Sequence, residues 1–507
     1  MKKILKIIFG RVTFIAIAAI IEILIVVGLL HWFGEKVAWI EVVLRALSVV
    51  IVLFLVNNSS HLSSDMIWIL AIVLMPVAGT VAYLLIGANM LTSRTLRNII
   101  VKTEYAKQYY RQDPEVMRDA CQAALANAGQ LRYISGQAGF PIYRNEGFDY
   151  YGLADEGYPV MLEEMKKAQK FIFLEYFIIE EGKMWNGMLE ILREKARQGL
   201  DVRVMYDDFG SFMTLSADYA KKLEADGVKC VPFNRINPVI GIIMNHRDHR
   251  KLMVIDGKIA FSGGANLADE YINEIKRFGH WKDNIIRIKG EAVWSYTVMF
   301  LTHWSAISQT QEDFERFHVA SVSSAFDGYI APYGEVPLYP EITAQNVYMN
   351  ILNQATDYCY IMTPYLIIDT ELSNALLLCA KRGVDVRIIT PGVPDKKLIW
   401  QITRSFYPKL INGGVKIYEY TPGFVHSKVF VADDMIAVVG TINLDYRSLY
   451  LHFENGTYLF GAKAVKDVKD DCLKTLGQSK LISQGDIRQG PLKALFISFV
   501  KLFASQM

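Results

Sequence analysis

Two short stretches of this 507-residue sequence combine histidine, lysine and aspartate in the same order and at the same spacing. The matching residues are His249, Lys251 and Asp256 in "HRKLMVID", and His426, Lys428 and Asp433 in "HSKVFVAD". Seventeen residues after each histidine comes an asparagine, Asn266 in "GGAN" and Asn443 in "GTIN". A single His-x-Lys pair is common and is usually structural. Its recurrence at equal spacing favours a functional site.

The predicted strands aim these side chains in definite directions. Residues two apart on a strand share a face, so His249 and Lys251 point the same way, as do His426 and Lys428. The two aspartates have the opposite parity, which favours bracing of a turn or a neighbouring element. A turn at "DGK" (256–258) separates the first array from the strand that leads to its asparagine. Each copy therefore brings an imidazole, an ammonium and an amide together.

This combination of groups suits a phosphodiester. The two lysines and the two asparagines can neutralise and hydrogen-bond its non-bridging oxygens. One histidine can attack phosphorus while the other protonates the departing oxygen and later deprotonates an incoming alcohol. The sequence shows neither a carboxylate cluster nor a Cys/His pair of the kind that binds metal. The predicted reaction therefore uses no metal and no other cofactor.

Two acids downstream of the arrays are candidates to orient the histidines. Asp283 in "WKDN" follows Asn266 by seventeen residues, and Glu454 in "HFEN" follows Asn443 by eleven. The alternative is that both are solvated surface acids. A further pair, Asp207 and Asp208 in "MYDDFG", lies at the end of a predicted strand and is interpreted as structural.

Other segments of the chain are also duplicated. Residues 196–207 and 380–391 each combine the end of a helix, a glycine and a strand led by Asp-Val-Arg. Upstream of them, residues 171–179 and 360–368 are apolar, aromatic-rich runs typical of central strands. Strands that alternate with helices in two copies predict an α/β fold of two pseudo-symmetric lobes, each a mixed sheet flanked by helices.

The N-terminal region is predicted to attach the chain to a membrane. Residues 12–33, 37–56 and 66–87 are apolar, and each is long enough to cross a bilayer. Glu41 and Arg45 in the second segment are four residues apart and can pair on a helix. Basic residues cluster before the first segment and after the last, which favours cytoplasmic ends and an even number of crossings. The sequence leaves two or three crossings open, and we expect a multi-pass protein with a cytoplasmic catalytic body.

The amino-acid composition gives information about the binding partners and the cellular compartment. The net charge is only +2, so no global field indicates a nucleic-acid partner. The five cysteines are widely spaced and form no Cys-x-x-Cys pair, which is typical of reduced thiols in a cytoplasm. No oligomeric state is predicted.

We expect six segments along the chain. They are a membrane anchor (1–88), a helical connector (89–130), a first lobe (131–305), a linker (306–334), a second lobe (335–484) and a C-terminal amphipathic helix (485–507). On that last helix Lys493, Ser498, Lys501 and Ser505 gather on one side. This pattern fits either a helix lying in the membrane plane or one packed on the body of the protein.

The paired arrays resemble the signature of the phospholipase D superfamily, a duplicated His-x-Lys-x4-Asp motif followed by Gly-x-x-Asn. The similarity extends to the bacterial cardiolipin synthases. Residues 245–271 resemble the first motif of that family, residues 423–448 its second motif, and residues 68–87 its last N-terminal membrane segment. The likeness covers nearly the whole chain from about residue 37 onward.

The resemblance implies transfer of a phosphatidyl group between two phosphatidylglycerol molecules, giving cardiolipin and glycerol through a phosphohistidine and without metal. On the matching positions His249 would be the nucleophile and His426 the general acid/base, although the symmetry permits the reverse. Phosphate would be bound by Lys251, Lys428, Asn266 and Asn443. The histidines and their strands would be positioned by Asp256, Asp433, Asp283 and Glu454.

The sequence departs from the family pattern at several places. Gly264 and Thr441 stand where the wider superfamily often has serine, His452 stands where asparagine is commoner, and residues 12–33 are additional to the usual pair of spans. Rival functions are a synthase that takes phosphatidylethanolamine as donor and a phospholipase D that uses water as acceptor. A nuclease is disfavoured by the near-neutral charge, and a non-catalytic membrane scaffold by the intact state of both arrays.

Overall fold

The structure is a computed structural model that describes residues 38–58, 62–84, 94–235, 246–320, 326–337, 339, 341–488 and 490–501. The chain divides into two compact units. The larger comprises Asn98–Asn234 and Arg247–Ser498, and the smaller includes the described N-terminal helices. The apolar segment predicted at residues 12–33 lies outside the described residues.

The N-terminal helices pack through a small apolar cluster. They are α1 (Ala38–Asn58), α2 (Leu62–Leu74) and α3 (Pro76–Ala82). The cluster is formed by Ile51, Leu55, Ile72 and Tyr83. The predicted pairing within α1 is confirmed, since Arg45 lies 2.7 Å from Glu41. Within the described ranges, no helix combines the length and the apolar character needed to cross a membrane.

The first lobe of the larger unit is built on a seven-stranded mixed sheet. Its strand order is β2-β9-β7-β6-β3-β4-β5. Strands β3, β4 and β5 run parallel, and the others join the sheet by antiparallel pairing. The bounds are β2 (Phe148–Tyr151), β3 (Phe171–Tyr176), β4 (Asp201–Asp207), β5 (Lys229–Phe233), β6 (Lys251–Ile255), β7 (Ile259–Gly263) and β9 (Ile285–Lys289).

The second lobe repeats this order within a nine-stranded sheet, β1-β10-β19-β17-β16-β11-β13-β14-β20. Here β11, β13 and β14 are the parallel strands. The bounds are β1 (Tyr143–Arg144), β10 (Tyr329–Glu335), β11 (Tyr358–Met362), β13 (Asp385–Pro391), β14 (Lys416–Tyr420), β16 (Val429–Ala432), β17 (Ile436–Gly440), β19 (Glu454–Phe460) and β20 (Ser479–Leu481). The predicted mixed α/β lobes are therefore confirmed.

Two short parallel pairs of strands form separate two-stranded sheets. The pairs are β8 (His280–Lys282) with β15 (Gly423–Val425), and β12 (Leu366–Ile367) with β18 (Leu444–Asp445). The remaining helices are α4 (Arg94–Ala106), α5 (Pro114–Ala124), α6 (Ala128–Arg132), α7 (Ala154–Lys167), α8 (Lys183–Arg197), α9 (Tyr219–Ala225), α10 (Val293–Ser308), α11 (Thr343–Gln354), α12 (Thr370–Lys381), α13 (Lys397–Asn412), α14 (Ala464–Gly477) and α15 (Pro491–Lys501).

The lobes are more interwoven than the expected segments suggest. Strand β1 comes from the segment expected for the first lobe, yet it pairs with β10 in the sheet of the second. Strand β10 itself begins at Tyr329, inside the stretch expected as a linker. All seven of its residues are buried, so this part of the stretch belongs to the core. Helices of the expected connector also contribute Val116, Ala120 and Ala128 to the core of the second lobe.

Candidate active site

Each histidine of the two arrays lies on a segment that pairs with the opposite lobe. Asp248, the residue before His249, forms a bridge with Phe453, and Val425, the residue before His426, pairs with Lys282. The expectation that the histidines belong to the strands is wrong. Strand β6 begins at Lys251 and β16 at Val429, because the backbone before each strand bonds across the lobe boundary instead of within its own sheet. The His249 N–H, for example, donates to the Phe453 carbonyl at 2.9 Å.

Because of this pairing, the histidine of each array contacts an acidic residue of the opposite lobe. Glu454 follows Phe453, and its Oε1 lies 2.8 Å from His249 Nδ1. Asp283 follows Lys282, and its Oδ2 lies 2.7 Å from His426 Nδ1. Both carboxylates are fully buried. Each histidine is therefore oriented by an acid of the other lobe, and Nε2 is the ring nitrogen left to meet a substrate.

The lysines lie beside the histidines that precede them. Lys251 Nζ donates to the His249 carbonyl at 2.6 Å, and Lys428 Nζ donates to the His426 carbonyl. Both side chains are almost completely buried. Burial lowers the pKa of Lys251 to about 7 and that of Lys428 to about 8, against the opposing effect of Glu454 and Asp283. An anionic ligand would restore their full charge, which suits a phosphate site.

Burial favours the neutral form of both histidines. Burial, with the positive charge of Lys251 next, lowers the pKa of His249 well below its usual value. Burial and Lys428 lower the pKa of His426 to about 4, although Asp283 acts in the opposite direction. Burial works to raise the pKa of Asp283, but His426 and Lys428 hold it below its usual value. A neutral imidazole beside a carboxylate can act as a nucleophile or as a base.

The two asparagines have different surroundings. Asn266 accepts from the Ile178 N–H at 3.1 Å and donates to the Tyr271 hydroxyl at 2.8 Å. The Oδ1 of Asn443 is buried and has no hydrogen-bond partner in the described part of the chain. The amide of Asn266 is thus engaged on both sides, and phosphate binding by the asparagines stays a prediction.

The two aspartates of the arrays brace the backbone next to their own turns. Asp256 accepts from three successive backbone N–H groups, those of Gln169, Lys170 and Phe171, at 2.7–2.9 Å. Asp433 does the same with residues 356–358, at 2.7–3.0 Å. Each stands at φ 54° in the turn after its strand. They tie the strands of the site to the start of β3 and β11, and their positioning role stays a prediction.

Replacing Asp256 by alanine should therefore destabilise the fold rather than alter the chemistry. Three bonds to a buried carboxylate are lost, and at about 1 kcal/mol each we expect about 3 kcal/mol less stability towards unfolding. Urea denaturation measures this loss. The matched control is Asp470→Ala, an exposed aspartate on α14. Equal stabilities of the two variants would contradict the bracing role.

Two departures from the superfamily pattern are explained by the crossed acids. A Cβ on Gly264 would lie 1.9 Å from Asp283 Oδ1, so only glycine leaves room for that carboxylate. Thr441 Oγ1 donates to Glu454 Oε2 at 2.5 Å and fixes the second oxygen of that acid. The two positions are equivalent in the arrays, and each fits the acid that reaches it.

Aromatic and other side chains around the histidines were missed by the sequence reasoning. Phe177 packs beside His249 with ring centroids 4.9 Å apart, and Tyr271 beside His426 at 5.5 Å. Buried Asp207 accepts from the Asp248 N–H at 3.0 Å, which agrees with its predicted structural role. The sequence could have indicated Phe177, because it is the residue directly after the central strand β3.

Two buried groups in the described part of the chain combine histidine with carboxylates closely enough to ligate a metal ion. They are His249, His452 and Glu454, and Glu175, Asp248 and His303. Lys251 opposes a cation at the first, and Arg250 lies 3.9 Å from Glu175 at the second. His303 Nδ1 is 2.7 Å from Glu175 Oε1, so that set already forms a hydrogen-bonded network. We assign a metal to neither group.

The buried cluster of Glu175, Asp248 and His303 predicts that the stability of the fold depends on pH. Burial raises the pKa of Glu175 to about 7, whereas the unfolded chain has the ordinary value near 4.5. The protonated carboxyl therefore stabilises the fold below that ordinary value, and this stability is lost as the pH rises through about 7. Glu175→Gln should lose less stability than the parent between pH 5 and 8 in urea denaturation. Exposed Glu163→Gln is the control, and equal losses in Glu175→Gln and the parent would contradict the assignment.

Two α/β lobes that each bring a His-x-Lys array to one crossed histidine–acid site define the phospholipase D fold class. The phosphatidylserine synthase of Haemophilus influenzae Rd KW20 has a similar structure, with a TM-score of 0.57 over 74% of this chain and 98% of that chain, at 16% identity. That likeness concerns the fold alone.

Sequence comparisons place the chain within the class. The family "Cardiolipin synthase, PLD-like domain" matches residues 161–304 and 348–474, and "Phospholipase_D-nuclease N-terminal" matches residues 46–87. An uncharacterised protein of Streptococcus mutans serotype c is 45% identical over 89% of this chain and 97% of its own length. The cardiolipin synthase of Halalkalibacterium halodurans is 32% identical over 85% and 86%. The chain belongs to the phospholipase D-like cardiolipin synthase family.

Proposed function

We propose that the protein is a phosphatidyltransferase that converts two phosphatidylglycerol molecules into cardiolipin and glycerol. The observation that carries the proposal is the pair of crossed acid–histidine contacts, 2.8 Å between His249 and Glu454 and 2.7 Å between His426 and Asp283. Two oriented imidazoles are what transfer through a covalent intermediate requires. Membership of the cardiolipin synthase family supports the choice of substrate.

In the first step, His249 Nε2 attacks the phosphorus of one phosphatidylglycerol. A P–N bond forms, the bond from phosphorus to the head-group glycerol oxygen breaks, and His426 gives its proton to that oxygen. The anionic phosphodiester raises the proton affinity of His426 and so opposes the burial that lowers its pKa, which lets His426 serve as the acid. Lys251 and Lys428 stabilise the charge on the non-bridging oxygens.

In the second step, a head-group hydroxyl of another phosphatidylglycerol attacks the phosphohistidine. His426 accepts the hydroxyl proton, the P–O bond forms and the P–N bond breaks. Cardiolipin leaves, and both histidines return to their starting state. Glu454 stabilises the positive imidazole of the intermediate, and Asp283 does the same for protonated His426.

Incubation of the purified protein with labelled phosphatidylglycerol in detergent, without divalent metal, tests the proposal. Cardiolipin and glycerol are the expected products. Phosphatidic acid alone would instead identify a hydrolase, and turnover that requires phosphatidylethanolamine would identify the alternative donor. Absence of turnover from a folded sample would contradict an enzymatic role.

We also propose that the chain is a multi-pass protein of the cell membrane, with its catalytic lobes on the cytoplasmic side. Large apolar side chains that are more than half exposed support membrane contact on α1: Trp39, Val42, Val43, Val49, Val50, Leu53, Phe54 and Val56. Exposed Leu492, Leu495, Phe496 and Phe499 give α15 a similar apolar surface. The five free cysteines agree with a reducing compartment.

A further inference from the structure

The two halves of the active site differ at one pair of equivalent positions. Gly263 pairs with Ile285 in the first sheet, and Gly440 pairs with Gly456 in the second. The crossed acids lie two residues before Ile285 and Gly456, so the residues two positions before the acids, Trp281 and His452, are also equivalent. Where the first lobe has an indole, the second lobe has an imidazole.

Both side chains contact a catalytic histidine in the same way. The rings of Trp281 and His426 have centroids 5.6 Å apart, and so do the rings of His452 and His249. His426 thus has a neighbour that cannot titrate, and His249 has one that can. The duplication conserves the place of the contact and changes its chemistry.

His452 also approaches the acid that orients His249. Its Nδ1 lies 3.9 Å from Glu454 Oε1, the oxygen that is 2.8 Å from His249 Nδ1. A nitrogen of each ring and an oxygen of Glu454 all lie within 4.8 Å of one another. His452 is as deeply buried as the catalytic histidines, with 7% of its surface exposed in each case. The carboxylate therefore bonds to His249 and lies within ion-pair distance of His452.

The titratable groups that face His249 indicate how His452 affects its protonation. They come from its own segment and from the opposite lobe: Lys251, Lys428, His426, His452 and Glu454. Four of these groups are cations when protonated, and each of them opposes a positive charge on His249. Burial and these cations lower the pKa of His249, with His452 acting after Lys251 and ahead of Lys428.

We propose that His452 is a positioning residue that lies within ion-pair distance of Glu454 and keeps the His249 ring in its neutral, attacking form. The inference rests on the proposed function, in which His249 is the nucleophile. It goes beyond it in assigning a task to a third histidine and in making the two halves of the site chemically unequal.

The pH profile of kcat/KM for phosphatidyl transfer tests this role in His452→Asn. Loss of an imidazole that opposes a positive charge on His249 lets His249 take up a proton at a higher pH, so the acid limb should move upwards by roughly half a unit to one unit. His318→Asn is the matched control, because His318 is a partly exposed histidine that pairs with Glu291 away from the site. Its acid limb should coincide with that of the parent.

A second variant, His452→Gln, guards against loss of the fold in the first, and thermal unfolding identifies the folded samples. An acid limb that stays at the parent's pH in the folded variants would overturn the inference. A parent that makes no cardiolipin would instead overturn the proposed function. A fall in kcat without movement of the limb would indicate a packing role alone and would also contradict the inference.

Discussion

Alanine at either His249 or His426 is expected to abolish cardiolipin formation, with kcat lowered by at least about a thousandfold. His249→Ala removes the atom that bonds to phosphorus, and His426→Ala removes the group that protonates the departing glycerol oxygen. No other imidazole has the carboxylate contact of 2.7–2.8 Å on the opposite lobe within the described chain. Initial rates with labelled phosphatidylglycerol measure the effect.

The control for this pair is His318→Ala, which removes a histidine that contacts Glu291 and Trp294 instead of the site. Its rate should stay close to that of the parent. Near-normal turnover by either His249→Ala or His426→Ala would show that the two-histidine mechanism is wrong.

Neutral isosteres of the crossed acids are expected to produce the second-largest effect. Asp283→Asn and Glu454→Gln keep the shape of each side chain but lose the charge that holds the histidine and stabilises its protonated state. By analogy with the acid of a hydrolase triad, we expect kcat to fall by about a hundredfold to ten-thousandfold. The same labelled-lipid assay measures the fall.

The pairing of each histidine with the acid of the opposite lobe can be tested separately from catalysis. NMR titration of the histidine side chains should show that Asp283→Asn moves the titration of His426 far more than that of His249, whereas Glu454→Gln does the reverse. Exposed Glu163→Gln serves as the control and should move neither. An effect of each acid on the histidine of its own lobe would contradict the geometry described above.

Much of the fold and of the site follows from the sequence. Equal spacing of the arrays indicated two related lobes, and the apolar runs at residues 171–179 and 360–368 indicated their central strands, which the structure places as β3 and β11. Asp256 and Asp433 were expected to brace a turn or a neighbouring element, and their contacts with backbone N–H groups agree with that expectation. The parity argument behind it does not hold, because both strands begin after the histidines.

What could not be predicted depends on contacts between distant residues. Asp283 and Glu454 were recognised as candidates, but no spacing indicates that each acid belongs to the histidine of the other lobe. That pairing follows from the bridge between Asp248 and Phe453 and its counterpart, β8 with β15. The same holds for Gly264. The reason why this position must be glycine is the Asp283 carboxylate, which occupies the place of a Cβ and is distant in the sequence.

The strands β1 and β10 show the same limit at the level of the fold. Residues 306–334 were predicted as a linker, and the dipeptide at Tyr143–Arg144 is too short to show a strand period. Both become strands because each finds a partner in the sheet of the second lobe. Pairing partners, more than local preference, decide such short elements.

The central claim is that transfer passes through a phosphohistidine, and rapid quenching tests it most directly. The protein is mixed with phosphatidylglycerol labelled at phosphorus, quenched in alkali to preserve a phosphohistidine, and digested for mass spectrometry. We predict label bound to His249, discharged as cardiolipin when unlabelled phosphatidylglycerol is added. Cardiolipin formation without protein-bound label, or label on any residue other than His249, would contradict the mechanism.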